Sequence, residues 1–261
     1  MGYGTMTQAM VEGWLAGGIS PDRFTAYHPT RKQAAHGIAM TNRLEVGTYD
    51  TVLLGIKPQM LPELAPQVAP LATGSVTVLS VLAGITLDGL AVHFPNASGV
   101  VRLMPNLACG VRKSPIALIG RGMGEPLADD VRQKLTQLAA VLGSAEWIAD
   151  EGQFDLVTAL AGSGPGFTYR FIDALARAAA QLGLPDDQAR RLSLAMVEGA
   201  VALAAASDVS PADLAARVAS PGGMTQRGLD VLDDDDALLS LLTRTLRETR
   251  DRGEEMGRTR P

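Results

Sequence analysis

Cysteine, histidine and aromatic residues are all scarce in this chain of 261 residues. The only cysteine, Cys109, excludes an internal disulfide framework and a thiolate zinc site, and such sparse use of cysteine fits a reducing cytoplasm. The histidines, His28, His36 and His93, are scattered along the sequence, so no metal cluster is predicted. Aromatic residues make up 4% of the chain, which disfavours stacking platforms for nucleobases.

An excess of positive charge, a signal peptide and a membrane-spanning stretch are also lacking. Lysine and arginine total 23 against 28 aspartates and glutamates, and no basic block stands out, which disfavours a nucleic-acid-binding surface. The longest apolar stretch, residues 192–206, contains Glu198 and is shorter than the roughly 20 residues of a membrane span. The N-terminus has neither the basic segment nor the apolar core of a signal peptide. We therefore expect a cytoplasmic protein of one or two domains, with neither nucleic acid nor a membrane as a partner.

The first 150 residues alternate short apolar runs with segments of helical spacing, a pattern typical of a parallel sheet covered by helices. Helices are predicted at 5–16, 30–36 and 127–142, with Gly17, Gly37 and Gly143 as their C-caps. Strands are predicted at Phe24–His28, Thr51–Ile56, Ser75–Leu82, Val100–Met104, Pro115–Ile119 and Ala145–Ile148.

After about residue 150 the strand signals stop and helical spacing remains. The pattern predicts helices at about 167–182, 187–206 and 211–218, and a last helix from about Asp236; Ser210 resembles the first residue of a capping box. Several of these helices are almost wholly apolar, so they need more partners than one small bundle supplies. The sequence therefore predicts one domain over residues 1–150 and an all-helical domain over 151–261 that pairs with a second copy.

The N-terminal segment Gly2–Thr7, GYGTMT, loosely matches the glycine turn that brings a dinucleotide's pyrophosphate to a helix N-terminus. Taken alone, a flexible glycine-rich terminus remains an alternative. The next predicted strand ends at His28, about where NAD-dependent enzymes of this fold place an acid for the ribose 2′-hydroxyl. Thr30 and Arg31 follow here instead of an acid, which favours the 2′-phosphate of NADP over an ordinary solvated helix start.

A strand is expected directly before Gly2, whereas the sequence begins at Met1. In a doubly wound sheet this strand is central, so its loss would leave backbone groups unpaired and a slot in the core. Two interpretations are open: the natural protein starts upstream, or the chain is a damaged copy that binds its cofactor weakly. The coherent pattern of the remaining sequence favours the first. The predicted fold class is α/β, a Rossmann-type doubly wound sheet with its first strand missing or truncated, followed by an all-helical dimerisation domain.

Four further segments place turns where ligands are often bound. Val52–Gln59 and Arg102–Asn106 each run from a predicted strand into a turn, and α/β sheets bind ligands at the carboxyl ends of their strands. Ala161–Gly166 is a tight turn into a long helix. Ala219–Thr225, ASPGGMT, precedes a predicted helix at 226–232, so its free amides suit a carboxylate. Each segment alone is also explained by ordinary turn and cap preferences.

Together and in this order, the motifs make the chain resemble the pyrroline-5-carboxylate reductases over almost its whole length. The resemblance rests on the glycine turn with Met6, on VLLGIKPQ, SVLAGI, RLMPN and TALAGSGPG, and most specifically on ASPGGMT. It implies a dinucleotide-binding domain, an all-helical domain interleaved with that of its dimer mate, and often a ring of dimers. The implied reaction is reduction of 1-pyrroline-5-carboxylate to L-proline, with NADPH as the expected cofactor and NADH as the other candidate.

The resemblance also implies roles for particular residues. Those near the cofactor pyrophosphate are Gly2, Gly4, Thr5 and Met6; those at the nicotinamide ribose are Ile56, Lys57 and Pro58; and Asn106 lies near the nicotinamide. The substrate carboxylate is held by Ser220, Gly222, Gly223, Met224 and Thr225, with the Thr225 hydroxyl near the ring nitrogen as the catalytic group. With His28, Thr30 and Arg31 these residues form the predicted site, and no metal is expected.

The sequence departs from the family pattern at a few positions. Besides the missing strand, Leu107-Ala108 replaces the more usual Thr-Pro, and Gly166-Phe167 replaces Ala-Tyr. One alternative is a relative of the same architecture that reduces another cyclic imine or a 3-hydroxyacid. Hydroxyacid enzymes usually place a lysine on the long helix, and residues 167–182 contain none. The other alternative is a catalytically silent NADP-binding homologue that dimerises without activity.

Overall fold

The computed structural model describes residues 1–30, 37–44, 47 and 49–258. The strands are β1 (Thr25–Tyr27), β2 (Ala39–Thr41), β3 (Thr51–Leu54), β4 (Thr77–Ser80), β5 (Gly99–Met104), β6 (Ser114–Gly122) and β7 (Gly143–Trp147). The α-helices are α1 (Thr5–Ala16), α2 (Leu61–Val68), α3 (Leu87–His93), α4 (Asp129–Ala140), α5 (Phe154–Val157), α6 (Gly164–Gln181), α7 (Asp186–Ala205), α8 (Pro211–Val218), α9 (Met224–Asp233) and α10 (Ala237–Arg258). Contacts divide the chain into two compact units, Met1–Ser163 with the segment from Thr249 onward, and Gly164–Glu248.

The strands of the first unit form a two-stranded and a five-stranded sheet. β1 pairs with β2 in parallel, and β3 to β7 follow one another in chain order. β5 and β6 pair antiparallel, and the other neighbouring strands of the described sheets pair in parallel, so β6 and β7 both run opposite to β3, β4 and β5. The short turn Leu107–Val111 joins β5 and β6, whereas a parallel pair would need a longer crossover. The sheet is therefore mainly parallel rather than wholly parallel.

Met1 and Gly2 lie between β1 and β3, in the position of the expected central strand. The Met1 amino group donates a hydrogen bond to the Leu53 carbonyl (2.7 Å), and the Gly55 amide donates to the Met1 carbonyl (2.7 Å). On the other side, the Gly2 amide donates to the Tyr27 carbonyl (3.2 Å). The bonds to Leu53 and Gly55 follow the pattern of a parallel ladder. These two residues therefore provide the carboxyl end of the expected strand and connect the two sheets.

The five-stranded sheet is covered on both faces. β5 is buried at all six of its positions, as expected for a strand with helices on both sides. Its side chains alternate between two apolar clusters. Val100 belongs to the cluster that includes Leu90 of α3, and Val101 belongs to the cluster that includes Trp14 of α1. This arrangement confirms the predicted doubly wound fold class.

The predicted strands are all present, as β1 and β3 to β7. The sequence analysis missed β2, which has only three residues. The prediction that Gly143 caps a helix is wrong, because α4 ends at Ala140 and Gly143 begins β7. Gly143 has a φ of 150°, and a Cβ there would collide with the Ser114 backbone, so close strand approach explains this glycine. Most of the helix predicted at 30–36 lies outside the described residues.

The second unit is all helical, as predicted. α6 is followed by Gly183 with a φ of 109°, and the Ser210 hydroxyl caps α8 by accepting a hydrogen bond from the Asp213 amide (3.1 Å). Leu192 and Leu203 of α7 are more than half exposed in the single chain. None of the described helices combines the length and hydropathy that crossing a bilayer requires. No group of three metal-binding side chains occurs within the described residues.

The compact units divide at residue 163 rather than at residue 150. The intervening segment packs with the first unit, since Phe154 is buried in the cluster on one face of the sheet. The end of α10, from Thr249, is also grouped with this unit. As a domain boundary, residue 150 stays a prediction.

The close approach of α1 to the turn after β5 provides a test of this packing. A Cβ on Gly13 would collide with the Cys109 carbonyl and lie 2.8 Å from the Leu142 side chain. We therefore expect Gly13→Ala to lower the free energy of unfolding by about 1–3 kcal/mol, measured by urea denaturation. The control is Gly89→Ala in α3, where a Cβ would come no closer than 3.5 Å to its neighbours and no loss is expected. Equal losses in the two variants would contradict the packing described.

Candidate active site

The glycine turn begins α1 with free backbone amides. Gly4 is the N-cap residue, with φ −87° and ψ −176°, and no side chain caps the helix. The Gln8 amide donates to the Gly4 carbonyl (2.9 Å), so the amides of residues 5–7 precede the first hydrogen bond of the helix. The first turn contains no acidic residue. The positive end of the helix dipole therefore remains available to an anion.

The shape of the turn fits the diphosphate of a dinucleotide. Gly2 has a φ of 79°, and a Cβ there would lie 2.5 Å from the Gly55 carbonyl oxygen, so glycine is required. A Cβ on Gly4 would meet no atom within 4 Å, which leaves room for phosphate oxygens above the helix N-terminus. Behind the turn, the buried Thr7 hydroxyl has no partner within the described residues. The residues present thus fit this ligand.

The turn after β3 lies directly beside the glycine turn. A Cβ on Gly2 would lie 2.9 Å from the Ile56 side chain, and the hydrogen bond between Gly55 and Met1 links the two segments. Lys57 is exposed, and Pro58 begins a short 3₁₀ turn. Thr5 is exposed and Met6 half-buried on the first turn of α1. The structure thus brings together the residues predicted for the pyrophosphate and for the nicotinamide ribose.

A compact polar turn follows β1. The His28 amide donates to the Thr41 carbonyl of β2 (3.0 Å), which fixes the backbone. The His28 Nδ1 atom lies 2.7 Å from the Thr30 carbonyl oxygen and 3.1 Å from the Thr30 hydroxyl. Because Tyr27 accepts a hydrogen bond from Gly2, this turn also adjoins the glycine turn. Arg31, the third predicted residue here, lies outside the described residues.

Asn106 follows β5 and is 5% exposed. Its Nδ2 atom donates to the Ala161 carbonyl (2.9 Å), and its Oδ1 atom accepts from the Ala108 amide (2.8 Å). Since β3, β4 and β5 are parallel, Asn106 lies at the same sheet edge as the turn after β3. The predicted place of Asn106 near the nicotinamide stays a prediction.

A buried arginine on β5 forms an ion pair for which no role was predicted from the sequence. The guanidinium of Arg102, which is 4% exposed, donates to Glu151 Oε1 (2.8 Å) and lies 4.1 Å from the centroid of the Phe154 ring. The same oxygen accepts a hydrogen bond from the Leu87 amide at the start of α3 (2.8 Å). The sequence signal that could have revealed the pair is a charged residue inside an apolar strand, because a buried charge requires a partner.

The second unit contains a separate glycine turn at the start of α9. Gly222 has a φ of 72°, and the Gly223 amide donates to the Ser220 carbonyl (2.9 Å). Gly223 is the N-cap residue and no side chain caps α9, which begins at Met224, two residues before the predicted start. The exposed Thr225 hydroxyl makes no hydrogen bond to the part of the chain that is described. The turn therefore presents free amides and a hydroxyl, a combination suited to a carboxylate.

A sheet covered by helices on both faces, with a glycine turn at the N-terminus of its first helix, defines a Rossmann-type dinucleotide-binding protein. An all-helical unit follows, in which α9 begins at a second glycine turn with no side-chain cap. The family model for pyrroline-5-carboxylate reductase dimerisation matches residues 151–256.

Comparison with known proteins identifies the family. The pyrroline-5-carboxylate reductase of Pseudomonas aeruginosa is 30% identical over 236 residues, covering 88% of this chain and 85% of that protein. Pyrroline-5-carboxylate reductase 3 of Xenopus laevis is 33% identical over 241 residues, covering 89% and 86%. The solved pyrroline-5-carboxylate reductase of Coxiella burnetii covers 97% of this chain and 95% of its own, with a TM-score of 0.89 and 28% identity. The Plasmodium falciparum enzyme, solved with NADP bound, shares the fold over 98% and 96%, with a TM-score of 0.84 and 22% identity.

The chain therefore belongs to the pyrroline-5-carboxylate reductase family of oxidoreductases. The dimerisation region that matches also indicates that it forms homo-oligomers.

The ion pair of Arg102 and Glu151 predicts a large difference between two substitutions. Glu151→Ala leaves the buried guanidinium without its counter-charge, so we expect the free energy of unfolding to fall by about 3 kcal/mol or more. The matched control is Asp88→Ala, which breaks the more exposed pair with Arg121 (2.8 Å) and should cost less than about 1 kcal/mol. Both values come from urea denaturation. Similar small losses would show that the buried pair is not needed for stability.

Proposed function

We propose that this protein reduces 1-pyrroline-5-carboxylate to L-proline with NAD(P)H, the last step of proline biosynthesis. The observation that carries the proposal is the glycine turn Ser220–Thr225, which offers free amides and a hydroxyl to a small carboxylate. The named relatives act on this imine. The first unit contributes a site whose residues fit a dinucleotide.

The proposed cofactor contacts follow from the two neighbouring turns. Gly2, Gly4, Thr5 and Met6 receive the pyrophosphate at the N-terminus of α1, and Ile56, Lys57 and Pro58 line the nicotinamide ribose. The structurally similar Plasmodium protein was solved with NADP bound. NADPH is therefore the proposed cofactor of this chain, and NADH is the second candidate.

The turn after β1 is proposed to select NADPH. His28 and Thr30 form a polar turn without an acid beside the glycine turn, and Arg31 follows in the sequence. A phosphate accepts hydrogen bonds from such groups, whereas the ribose 2′-hydroxyl of NADH would need an acid here.

Substitution of His28 tests this selectivity. His28→Asp places a carboxylate against the 2′-phosphate, so we expect the Kd of NADPH to rise about tenfold, the equivalent of about 1.4 kcal/mol. The Kd of NADH should fall, because the carboxylate can accept a hydrogen bond from the ribose 2′-hydroxyl. His28→Asn is the matched control, because it has the shape of aspartate without the charge. Binding is measured by fluorescence titration. If His28→Asp leaves the ratio of the Kd values of NADPH and NADH unchanged, this turn does not recognise the 2′-phosphate.

The proposed mechanism assigns binding and orientation to the protein. Bound NAD(P)H supplies the hydride. The amides of the Ser220–Thr225 turn hold the substrate carboxylate, which can contribute several kcal/mol by fixing the imine carbon for attack. The imine nitrogen is basic enough to arrive protonated, so no strong general acid is required. The Thr225 hydroxyl orients this nitrogen and hydrogen-bonds to it as it becomes an amine.

The proposed assembly is a homodimer formed through the helical domain, further assembled into a ring of dimers in the cytoplasm. Apolar side chains that are exposed on α7 in the single chain support a protein partner for this helix. The proposed domains are residues 1–150 for the cofactor and 151–261 for dimerisation and substrate.

The function is tested by following NADPH oxidation with 1-pyrroline-5-carboxylate. Saturable turnover with L-proline as product is the expected result. The assay is run in parallel on this chain and on a form extended upstream by a first strand. If both forms are dimers and neither oxidises NADPH with this substrate, the proposal is contradicted and a silent homologue is favoured. A thermal-shift titration with NADPH shows separately whether the cofactor binds.

Thr225→Ala tests the hydroxyl. If Thr225 acts as a single transition-state donor, the variant should lose about 10²-fold in kcat/KM, measured by the same assay. Thr225→Ser keeps the hydroxyl and should retain most of the activity. Activity of Thr225→Ala close to that of the wild type would rule out the proposed role.

A further inference from the structure

The polar groups of Asn106 form hydrogen bonds to three segments that meet at the carboxyl end of β5. Its Oδ1 atom caps the turn Leu107–Val111 through the Ala108 amide, and its backbone amide donates to the Ser114 hydroxyl at the start of β6 (2.9 Å). Its Nδ2 atom donates to the Ala161 carbonyl (2.9 Å). Because the residue is buried, each of these bonds replaces one that water would otherwise make.

The segment that accepts the Nδ2 hydrogen bond is a π-helical turn, Thr158–Gly162. The Ser163 amide donates to the Thr158 carbonyl (3.0 Å), five residues back. The turn also packs on β5, since a Cβ on Gly162 would lie 3.3 Å from Met104 Sδ. Single π-helical turns are rare and occur frequently at functional sites. The hydrogen bond from Asn106 anchors this turn to the end of β5.

We propose that Asn106 is a positioning residue for the reaction, whose amide fixes the π-helical turn at the sheet edge and does not itself contact the cofactor. This proposal rests on the proposed function in one respect: it requires the nicotinamide to lie at the sheet edge where β5 ends. The residues next to the bond, Leu107 and Leu160, are 56% and 63% exposed. The hydrogen bond therefore anchors the backbone next to two exposed apolar side chains.

The bond can be tested on the wild-type protein. The chain has three asparagines, and Asn42 and Asn96 are exposed while Asn106 is buried. ¹⁵N-asparagine labelling therefore gives three side-chain amide signals, assigned through Asn42→Ser and Asn96→Ser. The proposal expects the Asn106 amide to exchange slowly with solvent and to keep its shift when NADPH is added. Fast exchange without NADPH, or a large shift on its addition, would overturn it.

Asn106→Asp adds a kinetic test. The aspartate can still accept from the Ala108 amide, but its ionised carboxylate faces the Ala161 carbonyl and cannot donate. At pH 8 we expect kcat to fall about 10- to 100-fold, with the Kd of NADPH changed less than about threefold. Hydrogen exchange of residues 158–163 should accelerate. On lowering the pH, a protonated carboxyl donates to Ala161 again, so kcat should recover.

The ratio of variant to wild-type kcat is measured at each pH. This ratio cancels the effect on kcat of titratable groups that both proteins share. Titratable groups on the neighbouring elements include Cys109, Arg112 and Lys113 in and after the turn that follows β5, Glu12 of α1, Asp155 of α5, and the pair of Arg102 and Glu151. Burial raises the pKa of the Cys109 thiol, so it keeps its proton throughout.

Ser114→Ala is the matched control. It removes the hydroxyl that accepts from the Asn106 backbone and leaves the side-chain amide in place, so the Tm should fall while kcat stays near that of the wild type. A loss of NADPH affinity in Asn106→Asp equal to its loss in kcat would show direct cofactor contact and contradict the proposal. The exchange measurements need no turnover, so a failure of the proposed reaction is distinguished from a failure of this bond.

Discussion

Three backbone hydrogen bonds made by Met1 and Gly2 hold together the two sheets on which the cofactor site depends. They join the end of β1 to the end of β3, and so place the turn at His28 and the turn at Ile56 on either side of the glycine turn. A Cβ on Gly2 would collide with the Gly55 backbone, and a Cβ on Gly55 would collide with the Thr7 side chain of α1, so neither glycine has room for a side chain. The geometry of the site thus follows from backbone contacts. The exposed side chains around the site do not determine where its three turns lie.

The carboxyl end of β5 shows a second way of fixing a site, by pairing buried polar side chains with distant segments, although the Arg102 Nε atom has no hydrogen-bond partner within the described residues. Arg102 and Asn106 are both buried, and each is paired with a segment that follows the sheet in the chain. Removing one partner from such a pair costs more than the pair contributes, because a buried charge or amide is left without its bonds. The position of residues 151–163 against the sheet is therefore strongly determined, although this segment contains only short helical turns.

The strands and long helices could be predicted because their apolar periodicity reflects burial directly. Val100 and Val101 face opposite clusters, as expected for consecutive residues of a strand that is buried on both faces. β2 was missed because three residues carry too little pattern, and Gly143 was misassigned because a cap and a close strand approach both favour glycine. The antiparallel direction of β6 depends on the length of the turn that joins it to β5. The partners of Arg102 and Asn106 lie 49 and 55 residues away, and no local pattern specifies such pairs.

The two proposed anion sites share a feature that distinguishes their helices from α3, α4, α7 and α8. α4 and α7 begin with pairs of aspartates, and α3 and α8 combine a side-chain cap with an acid in the first turn. Those residues compensate the positive end of the helix within the protein. α1 and α9 instead begin with Gly4 and Gly223 and have neither a side-chain cap nor an acid in the first turn. Each leaves its first amides uncompensated, at some cost in helix stability, and a bound diphosphate or carboxylate would recover that cost. The same physical device therefore supports a cofactor site in one unit and a substrate site in the other.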